Sequence, residues 1–177
     1  NDCVTDVFFG TDYHSHLGTR RGGMSSYSGK LGFQRNIHSI ENSPFRTKFE
    51  NDVLKMKGKI CVGCISDTDP QPMLVRSKLG MYAISTVGII QNAEELVDEL
   101  LENGCPSFES MSSGNINSSD IVGALLAQKN SFVDGIRYAQ SKIKGTLSLM
   151  IMTKDSIIAA RDEFGRLPII IGKRSDG

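Results

Sequence analysis

The chain has few cysteines, no excess of either charge and no long apolar run. Four cysteines in 177 residues do not make the disulfide scaffold of a small secreted protein. Lysine plus arginine equals aspartate plus glutamate, 20 against 20, so no overall basic field exists to hold nucleic acid or an anionic membrane. No apolar run is long enough to span a bilayer, and no secretion signal opens the sequence. We therefore expect a cytoplasmic protein that binds neither nucleic acid nor a membrane.

What is present is enough apolar material for one sizeable core, with 39% hydrophobic residues. Apolar periodicity and alternation predict both helices and strands. The predicted helices are Cys3 to His16, Pro44 to Lys57, one capped by Asn92, one capped by Ser118 or Ser119 that ends at Ala127, and Phe132 to Lys142. The predicted strands are Met24 to Tyr27, Leu31 to Ile37, Ile60 to Ile65 and Leu79 to Val87. On periodicity alone, this order supports only the α+β class.

The last part of the chain has the clearest pattern. Thr146 to Met152 and Ile157 to Ala160 are short runs of aliphatic and β-branched residues, which predict two adjacent strands. A charged corner follows, and Pro168 then opens a third apolar run, Ile169 to Ile171. The predicted order is strand, strand, corner, strand.

The corner itself carries a resemblance. Arg161 and Asp162 are followed three residues later by Gly165, which can take a positive φ. This arrangement resembles the corner in class II glutamine amidotransferase domains, which have the N-terminal-nucleophile hydrolase fold. We expect Asp162 to accept backbone or arginine hydrogen bonds that hold the turn, because buried carboxylates persist only when they are satisfied.

The resemblance extends upstream in chain order. Arg21 and Gly22 match the Leu-Gln-His-Arg-Gly-Gln segment of the glutaminase domain of amidophosphoribosyltransferases. Gln71-Pro72 is similar to the Gln-Pro of that family, and Gly88 falls on the glycine of its His-Asn-Gly motif. The likeness covers nearly the whole chain, with moderately specific motifs.

This resemblance implies a fold and partners. The fold would be a four-layer α-β-β-α sandwich forming a single domain over residues 1–177, with Ile60–Ile65 and Thr146–Met152 as interior strands. The implied partners are a C-terminal phosphoribosyltransferase domain, which this sequence does not contain, and further copies of the same chain. The resemblance implies neither a cofactor nor a metal.

The family's nucleophile has no counterpart in this sequence. Class II amidotransferases use the thiol of an N-terminal cysteine, with its own α-amine as the base. Residue one here is Asn1, and Cys3 stands at the start of the predicted helix, with its amine in a peptide bond. The family's first strand, Cys-Gly-Ile-x-Gly, also has no counterpart, so we expect the native protein to begin earlier. We predict no catalytic residue within these 177 residues.

The glutamine-binding positions of the family fall on residues without the expected charge. An ungapped placement puts Ser66 where the family has the arginine that binds the substrate carboxylate. It puts Val87 at the oxyanion-hole asparagine and Ser118 at the aspartate that receives the substrate amine. If the register is shifted by a residue or two, Asp67 or Asp120 becomes the functional acid.

Two other patterns predict no chemistry. Cys61 and Cys64 have metal-site spacing, but residues three apart on a strand point to opposite faces and cannot grip one metal. His14 and His16 are two apart on a predicted helix, which is not a chelating spacing.

Two functions remain open from the sequence. The first is the glutaminase-like part of an amidophosphoribosyltransferase-like protein of purine biosynthesis, with a degenerate active site. The second is a non-catalytic module of the same fold, kept for assembly or for binding a small ligand.

Overall fold

The computed structural model describes residues 2–105, 107–108 and 114–173. Its helices are α1 (Val4–His14), α2 (Phe45–Lys55), α3 (Ala93–Glu102), α4 (Ser118–Ala127) and α5 (Phe132–Lys142), with a 3-10 turn at Ser15–Leu17 after α1. Its strands are β1 (Arg21–Ser28), β2 (Gly32–Ser39), β3 (Ile60–Ser66), β4 (Met73–Ser77), β5 (Gly80–Ile90), β6 (Gly145–Met152) and β7 (Ile157–Ala160). The helix predicted at 132–142 and the strand predicted at 157–160 are confirmed at these bounds.

The strands form two antiparallel sheets. One has the order β2-β1-β3, and the other has the order β4-β5-β6-β7. Helices α1 and α2 cover the first sheet around a core that includes Met24, Phe45 and Phe49. Helices α3, α4 and α5 cover the second sheet around a larger core that includes Tyr82 and Ile121. The predicted α-β-β-α sandwich is therefore confirmed.

The inner faces of the two sheets meet in a small apolar cluster. Val62 of β3, Ala83 of β5 and Met152 of β6 are buried there, at one end of the sandwich. Phe33 of β2 and Leu74 of β4 pack against the same cluster. Since β3 lies across from β6 and β2 lies on the β4 side, the sheets stack in the same order.

One strand was not predicted, and two strand predictions were wrong. Met73–Ser77 forms a strand that pairs with β5, although its apolar run is too short to stand out in the sequence. Ile169–Ile171 forms no strand, because no described strand pairs with it, and Ile170 is 88% exposed. Strand β6 is interior as expected, but β3 is an edge strand, since it pairs only with β1 among the described residues.

The N-cap position of α3 is Asn92, as predicted, but the cap predicted for α4 at Ser118 or Ser119 is wrong. The Asn92 carbonyl accepts from the Leu96 N–H at 3.1 Å, whereas its side chain makes no capping bond and instead bonds the backbone of Lys142 and Lys144, which ties the start of α3 to the start of β6. The cap of α4 is Asn117, whose side chain accepts a hydrogen bond from the Ser119 N–H at 2.8 Å. A side-chain cap needs a non-helical residue just before the first turn, and Ser118 and Ser119 are already helical.

The corner after β7 behaves as predicted. The Asp162 carbonyl accepts from the Gly165 N–H at 2.9 Å, and Gly165 has a φ of +61°. The Asp162 carboxylate receives the Arg166 N–H at 3.4 Å and lies 3.5 Å from the Arg166 guanidinium. The arginine that holds this carboxylate is therefore Arg166 in the following turn.

In the described ranges, no helix has both the length and the apolar character that crossing a membrane requires.

Candidate functional site

The residues that the ungapped sequence placement assigns to the substrate lie at the end of the sandwich away from the inter-sheet cluster. Ser66 ends β3, opposite Arg21 at the start of β1 in the strand register. Val87 and Gly88 lie near the end of β5, and Ser118 begins α4. Three separate elements therefore bring these positions to one end of the molecule.

A buried hydrogen-bond network joins those elements. The Gln71 side chain accepts from the Thr86 N–H at 2.8 Å and donates to the Thr86 carbonyl at 3.0 Å. The Thr86 hydroxyl lies 2.9 Å from the hydroxyl of Ser119. The loop before β4, the end of β5 and the start of α4 are thus held together immediately beside Val87 and Ser118.

Asp69 and Asn117 complete this network. The Asp69 carboxylate accepts the Ser118 N–H at 3.0 Å, and the Asn117 side-chain amide donates to the Pro70 carbonyl at 3.2 Å. Asp69 is 4% exposed and Asn117 6% exposed, so both polar groups are buried and satisfied.

Sequence reasoning named Gln71 and Ser119 for other reasons, but it did not predict the network or the part that Asp69, Thr86 and Asn117 take in it. The available signals were Asp69 directly before a proline, Gln71 between two prolines, and an asparagine directly before a helix. Both signals indicate capping or loop closure, but neither tells which elements meet.

Two glycines let backbones pass closely at this end. A Cβ on Gly88 would lie 2.1 Å from the Thr146 carbonyl oxygen, and the φ of Gly88 is +154°. A Cβ on Gly23 would lie 1.7 Å from the Gln71 carbonyl oxygen. Both positions therefore require glycine for the sheet and loop to approach.

The two acidic candidates have different environments. Asp67 accepts from the Thr19 N–H at 2.6 Å and from the Thr19 hydroxyl at 3.1 Å. These bonds, with the Thr19 backbone N–H as the largest cause, hold the pKa of the Asp67 carboxyl below its usual range. Asp67 thus ties the turn after α1 to the end of β3. Asp120 is half-buried in the first turn of α4.

The inner face of β3 carries no charged side chain. Val62 contributes to the inter-sheet cluster, and strand alternation places Cys64 and Ser66 on the same face. The Cys64 thiol lies beside the Ser85 hydroxyl, and burial raises the pKa of this thiol to about 12. A thiol with that pKa is almost entirely protonated at neutral pH, so it is not an activated nucleophile.

The other cysteines near β3 lie on its outer face. Cys61 is buried against α1 and α2, which confirms that Cys61 and Cys64 point to opposite faces. All four cysteines are free thiols. The Cys3 thiol donates to the Gly58 carbonyl at 3.4 Å, and burial is the main cause that raises its pKa. Gly58 precedes β3, so Cys3 is about 20 Å from the Ser66 end of that strand at ~3.3 Å per residue.

Neither the cavity of the structure nor its metal-ligating side chains add a catalytic group. A cavity of about 470 Å³ lies near Tyr27, Ile60 and Lys154, at the end of the sandwich away from Ser66. No group of three or more metal-ligating side chains occurs in the part of the chain that the structure describes.

Two sheets packed face to face between helical layers, with an open end between the strands, define the N-terminal-nucleophile hydrolase fold as the class of this protein. The sequence profile described as a glutamine amidotransferase domain matches residues 58–177. The chain belongs to this family.

Relatives and solved structures agree with that assignment. The amidophosphoribosyltransferase of Methanocaldococcus jannaschii is 30% identical over 177 residues, which cover 94% of this chain and 36% of the relative. The glutamine phosphoribosylpyrophosphate amidotransferase of B. subtilis, solved with ADP and GMP, has a TM-score of 0.71 at 23% identity, over 90% of this chain and 34% of that chain. A structure titled as the allosteric regulatory enzyme of purine biosynthesis has a TM-score of 0.74 at 22% identity, over 90% of this chain and 35% of that chain.

The structural likenesses show the fold, and the sequence relatives show homology to the glutaminase domain of amidophosphoribosyltransferase. This chain spans about a third of the length of the relatives that it matches.

Proposed function

We propose that this chain is the glutaminase-like domain of an amidophosphoribosyltransferase-like protein, and that these 177 residues do not hydrolyse glutamine. Intact members of the resembled family release ammonia from glutamine and pass it to phosphoribosyl pyrophosphate in purine biosynthesis. The remaining part of such a protein would be a phosphoribosyltransferase domain.

One observation carries the proposal: the side chains at the three substrate positions are uncharged. Ser66 stands on the inner face of β3 and Val87 is 57% exposed at the end of β5. Ser118 offers a hydroxyl where the family has a carboxylate. A charge-assisted hydrogen bond contributes roughly 1.5–3 kcal/mol, so losing two of them weakens glutamine binding by orders of magnitude.

A register shifted by a residue or two would make Asp67 the functional acid, but the contacts of Asp67 give this alternative less support. Its carboxylate already accepts two hydrogen bonds from Thr19. Both bonds end on Oδ1 of Asp67, so this carboxylate already holds the turn after α1 against the end of β3.

We further propose that a strand preceding residue 1 pairs with the free edge of β3. Asp2 and Cys3 are anchored beside the start of β3, because the Cys3 N–H donates to the Gly58 carbonyl at 2.8 Å and Asp2 accepts from the Gly58 N–H at 3.4 Å. A strand that ends there would run antiparallel to β3 and would begin near Ser66. Its first residue would then stand at the open end with the substrate positions.

The second sheet has a surface that such a strand would cover. The position beyond β3 in the first sheet lies across from β7, since the sheets stack in the same order. On that inner face, Ile157 is 48% exposed and Met150 is 41% exposed. Covering them would remove apolar surface from water, which favours the added strand.

The proposed lack of glutamine recognition is tested by an NMR titration of the isotope-labelled chain with glutamine. We expect no saturable shift of the Ser66, Val87 or Ser118 amide signals up to several millimolar glutamine, on the order of the weakest specific affinities. Saturable shifts at these amides with a Kd below about 1 mM would contradict the proposal.

A second candidate function, a small-ligand-binding module without catalysis, rests on two buried hydroxyls. Ser85 and Ser148 lie on the inner face of the second sheet, where the Ser85 hydroxyl has only the Cys64 thiol beside it and the Ser148 hydroxyl has no hydrogen-bond partner within the described part of the chain. A small neutral polar ligand between the sheets would satisfy them. Ligand-induced shifts confined to these two residues, with none from glutamine, would favour this candidate.

A further inference from the structure

The cavity at the other end of the sandwich from Ser66 has the form of a small-ligand site. Its volume of about 470 Å³ lies within the range of roughly 300–1,000 Å³ that small-molecule pockets occupy. Tyr27 of β1 and Ile60 of β3 are cross-strand partners that line it, and both pack against the inter-sheet cluster. The Phe33 ring lies against the Tyr27 ring, with the two ring centres 4.9 Å apart. The cavity therefore has an apolar wall whose aromatic ring is already in place.

Two lysines on different sheets also line this cavity, Lys59 and Lys154. The Lys59 N–H donates to the Tyr27 carbonyl at 3.3 Å, which holds the start of β3 beside the aromatic ring. Lys154 lies in the β6–β7 turn, which is closed by a hydrogen bond of 2.8 Å from the Thr153 N–H to the Ser156 carbonyl. Backbone hydrogen bonds therefore fix the positions from which both lysine side chains start.

Two carboxylates lie near these lysines, and both have partners. Asp2, which lines the cavity, accepts from the Gly58 N–H at 3.4 Å and lies 3.8 Å from the Lys57 ammonium. Asp155 lies 3.7 Å from the Lys154 ammonium, and the side chains of this pair are 76% and 67% exposed. An ion pair that is so exposed contributes little, because water screens it. Lys154 is therefore available to a ligand.

Further cations lie in the turns at this end of the sandwich, although the chain as a whole has no net charge. Lys30 lies in the β1–β2 turn and Lys78 in the β4–β5 turn, and Arg76 lies just before that second turn. Within the described part of the chain, none of these three side chains forms an ion pair, and neither does that of Lys59. A cleft with low-dielectric walls and one sign of charge concentrates ions of the opposite sign. This end of the molecule therefore attracts anions.

We infer that this cavity binds a small organic anion with an aromatic body, with its ring against Tyr27 and Ile60 and its anionic group between Lys59 and Lys154. An inorganic anion would leave the apolar wall unused, and an uncharged aromatic molecule would leave the two ammonium groups without a partner. Ile60 and Ser66 are the two ends of β3, about 20 Å apart at ~3.3 Å per residue. The site is therefore separate from the positions assigned to glutamine, and the inference does not depend on whether the chain hydrolyses glutamine.

Fluorescence titration with anilinonaphthalene sulfonate, an aromatic anion whose fluorescence rises in an apolar site, tests this inference. We expect saturable binding with a Kd on the order of 10–100 μM, as for a ligand of this size. The uncharged N-phenylnaphthylamine has the same rings without the sulfonate and should bind about fivefold more weakly or worse. Added salt should weaken binding of the sulfonate but not of the neutral probe. Near-UV circular dichroism of the same samples checks that the probes are not reporting a partly unfolded chain.

Charge reversal tests whether the two lysines hold the anion. The double variant Lys59→Glu/Lys154→Glu replaces two attractions by two repulsions, so we expect the Kd of the sulfonate to rise by about tenfold or more. The matched control is Lys48→Glu/Lys173→Glu, which changes the net charge equally at exposed positions outside the cavity. The control should leave the Kd within about twofold of the parent value, because exposed charges beyond a Debye length are largely screened.

Amide chemical shifts of the isotope-labelled chain locate the bound sulfonate. The largest shifts are expected at Tyr27, Ile60 and Lys154, with none at Ser66 or Val87. Shifts at Ser66 and Val87 instead would place the anion at the other end of the sandwich and would overturn this inference. Absence of saturable binding up to about 1 mM, equal affinity for the neutral probe, or an equal Kd for the charge-reversed variant and its control would also overturn it.

Discussion

At the scale of single residues, Gly88 is fixed by backbone geometry. A side chain there would meet the Thr146 carbonyl at 2.1 Å, in a backbone conformation that L side chains rarely adopt. We expect Gly88→Ala to lower the free energy of unfolding by roughly 2–3 kcal/mol, through backbone strain and a forced separation of β5 from β6. Urea unfolding followed by circular dichroism measures this.

Gly10→Ala is the matched control for that change. Gly10 lies within α1 with open space around its Cβ, so alanine should raise helix stability by about 0.5–1 kcal/mol. If the two alanine variants unfold at the same urea concentration, the close approach at Gly88 is not present in solution.

The Asp67 carboxylate gives a pH-dependent prediction. Its folded pKa is depressed by the Thr19 bonds, so its contribution to stability is present above the unfolded pKa of about 3.9 and is lost as pH falls through the folded pKa. Asp67→Asn should therefore be less stable than the parent at pH 7. The difference in unfolding free energy should shrink as the pH is lowered below about 4. If the difference in unfolding free energy between the parent and Asp67→Asn is the same at pH 7 and pH 3, the Thr19 bonds do not depend on the charged form of the Asp67 carboxyl.

At the scale of elements, the contact between β5 and α4 includes a buried pair of hydroxyls, those of Thr86 and Ser119. Thr86→Val keeps the shape of the strand residue but leaves the buried Ser119 hydroxyl without its partner. We expect a loss of roughly 1–3 kcal/mol from this single change. The double variant Thr86→Val/Ser119→Ala removes both polar groups, so it should lose less than the sum of the two single variants. Additive losses in denaturant unfolding would mean that the hydroxyls are not coupled.

Elements with a local signal could be predicted from the sequence. Helix α5 has the bounds predicted from its sequence, and the structure shows why it begins there, since the Ser131 side chain accepts from the Asp134 N–H at 3.1 Å. Strand β7 was predicted because it is a short aliphatic run between polar turns. Elements without such a signal were not predicted: β4 depends on its pairing with β5, and Ile169–Ile171 has strand composition without a pairing partner.

The candidate site was predictable only as a set of positions. The sequence pointed to Ser66, Val87 and Ser118, and the structure brings their elements to one end of the sandwich. The network that does so could not be predicted, since Gln71, Thr86 and Ser119 are ordinary loop, strand and helix residues until the fold places them together. Hydrogen bonds between side chains that are far apart in the sequence produce no periodic pattern from which they could be predicted.

At the scale of the whole molecule, the mismatch between a three-stranded and a four-stranded sheet has a measurable consequence. An N-terminal extension long enough to pair with β3 should protect the Cys61–Ile65 backbone amides that face the free edge from hydrogen exchange. It should also reduce the exposure of Ile157. The 177-residue chain, with the same amides at an unpaired edge, is the control. Equal exchange in both proteins would place the added segment elsewhere.

The central claim is that these 177 residues have the glutaminase-like fold without glutaminase chemistry, and ammonia release from glutamine tests it most directly. The purified chain should release no ammonia above the buffer rate and should not be labelled by a glutamine-analogue electrophile. The reasons are that the half-buried Cys3 lies far from Ser66 along β3 and that the Cys64 thiol is protonated at neutral pH. Turnover that survives both Cys3→Ala and Cys64→Ala would reveal an unrecognised nucleophile. Turnover that either change abolishes would identify that thiol as the nucleophile. Either result would contradict the account.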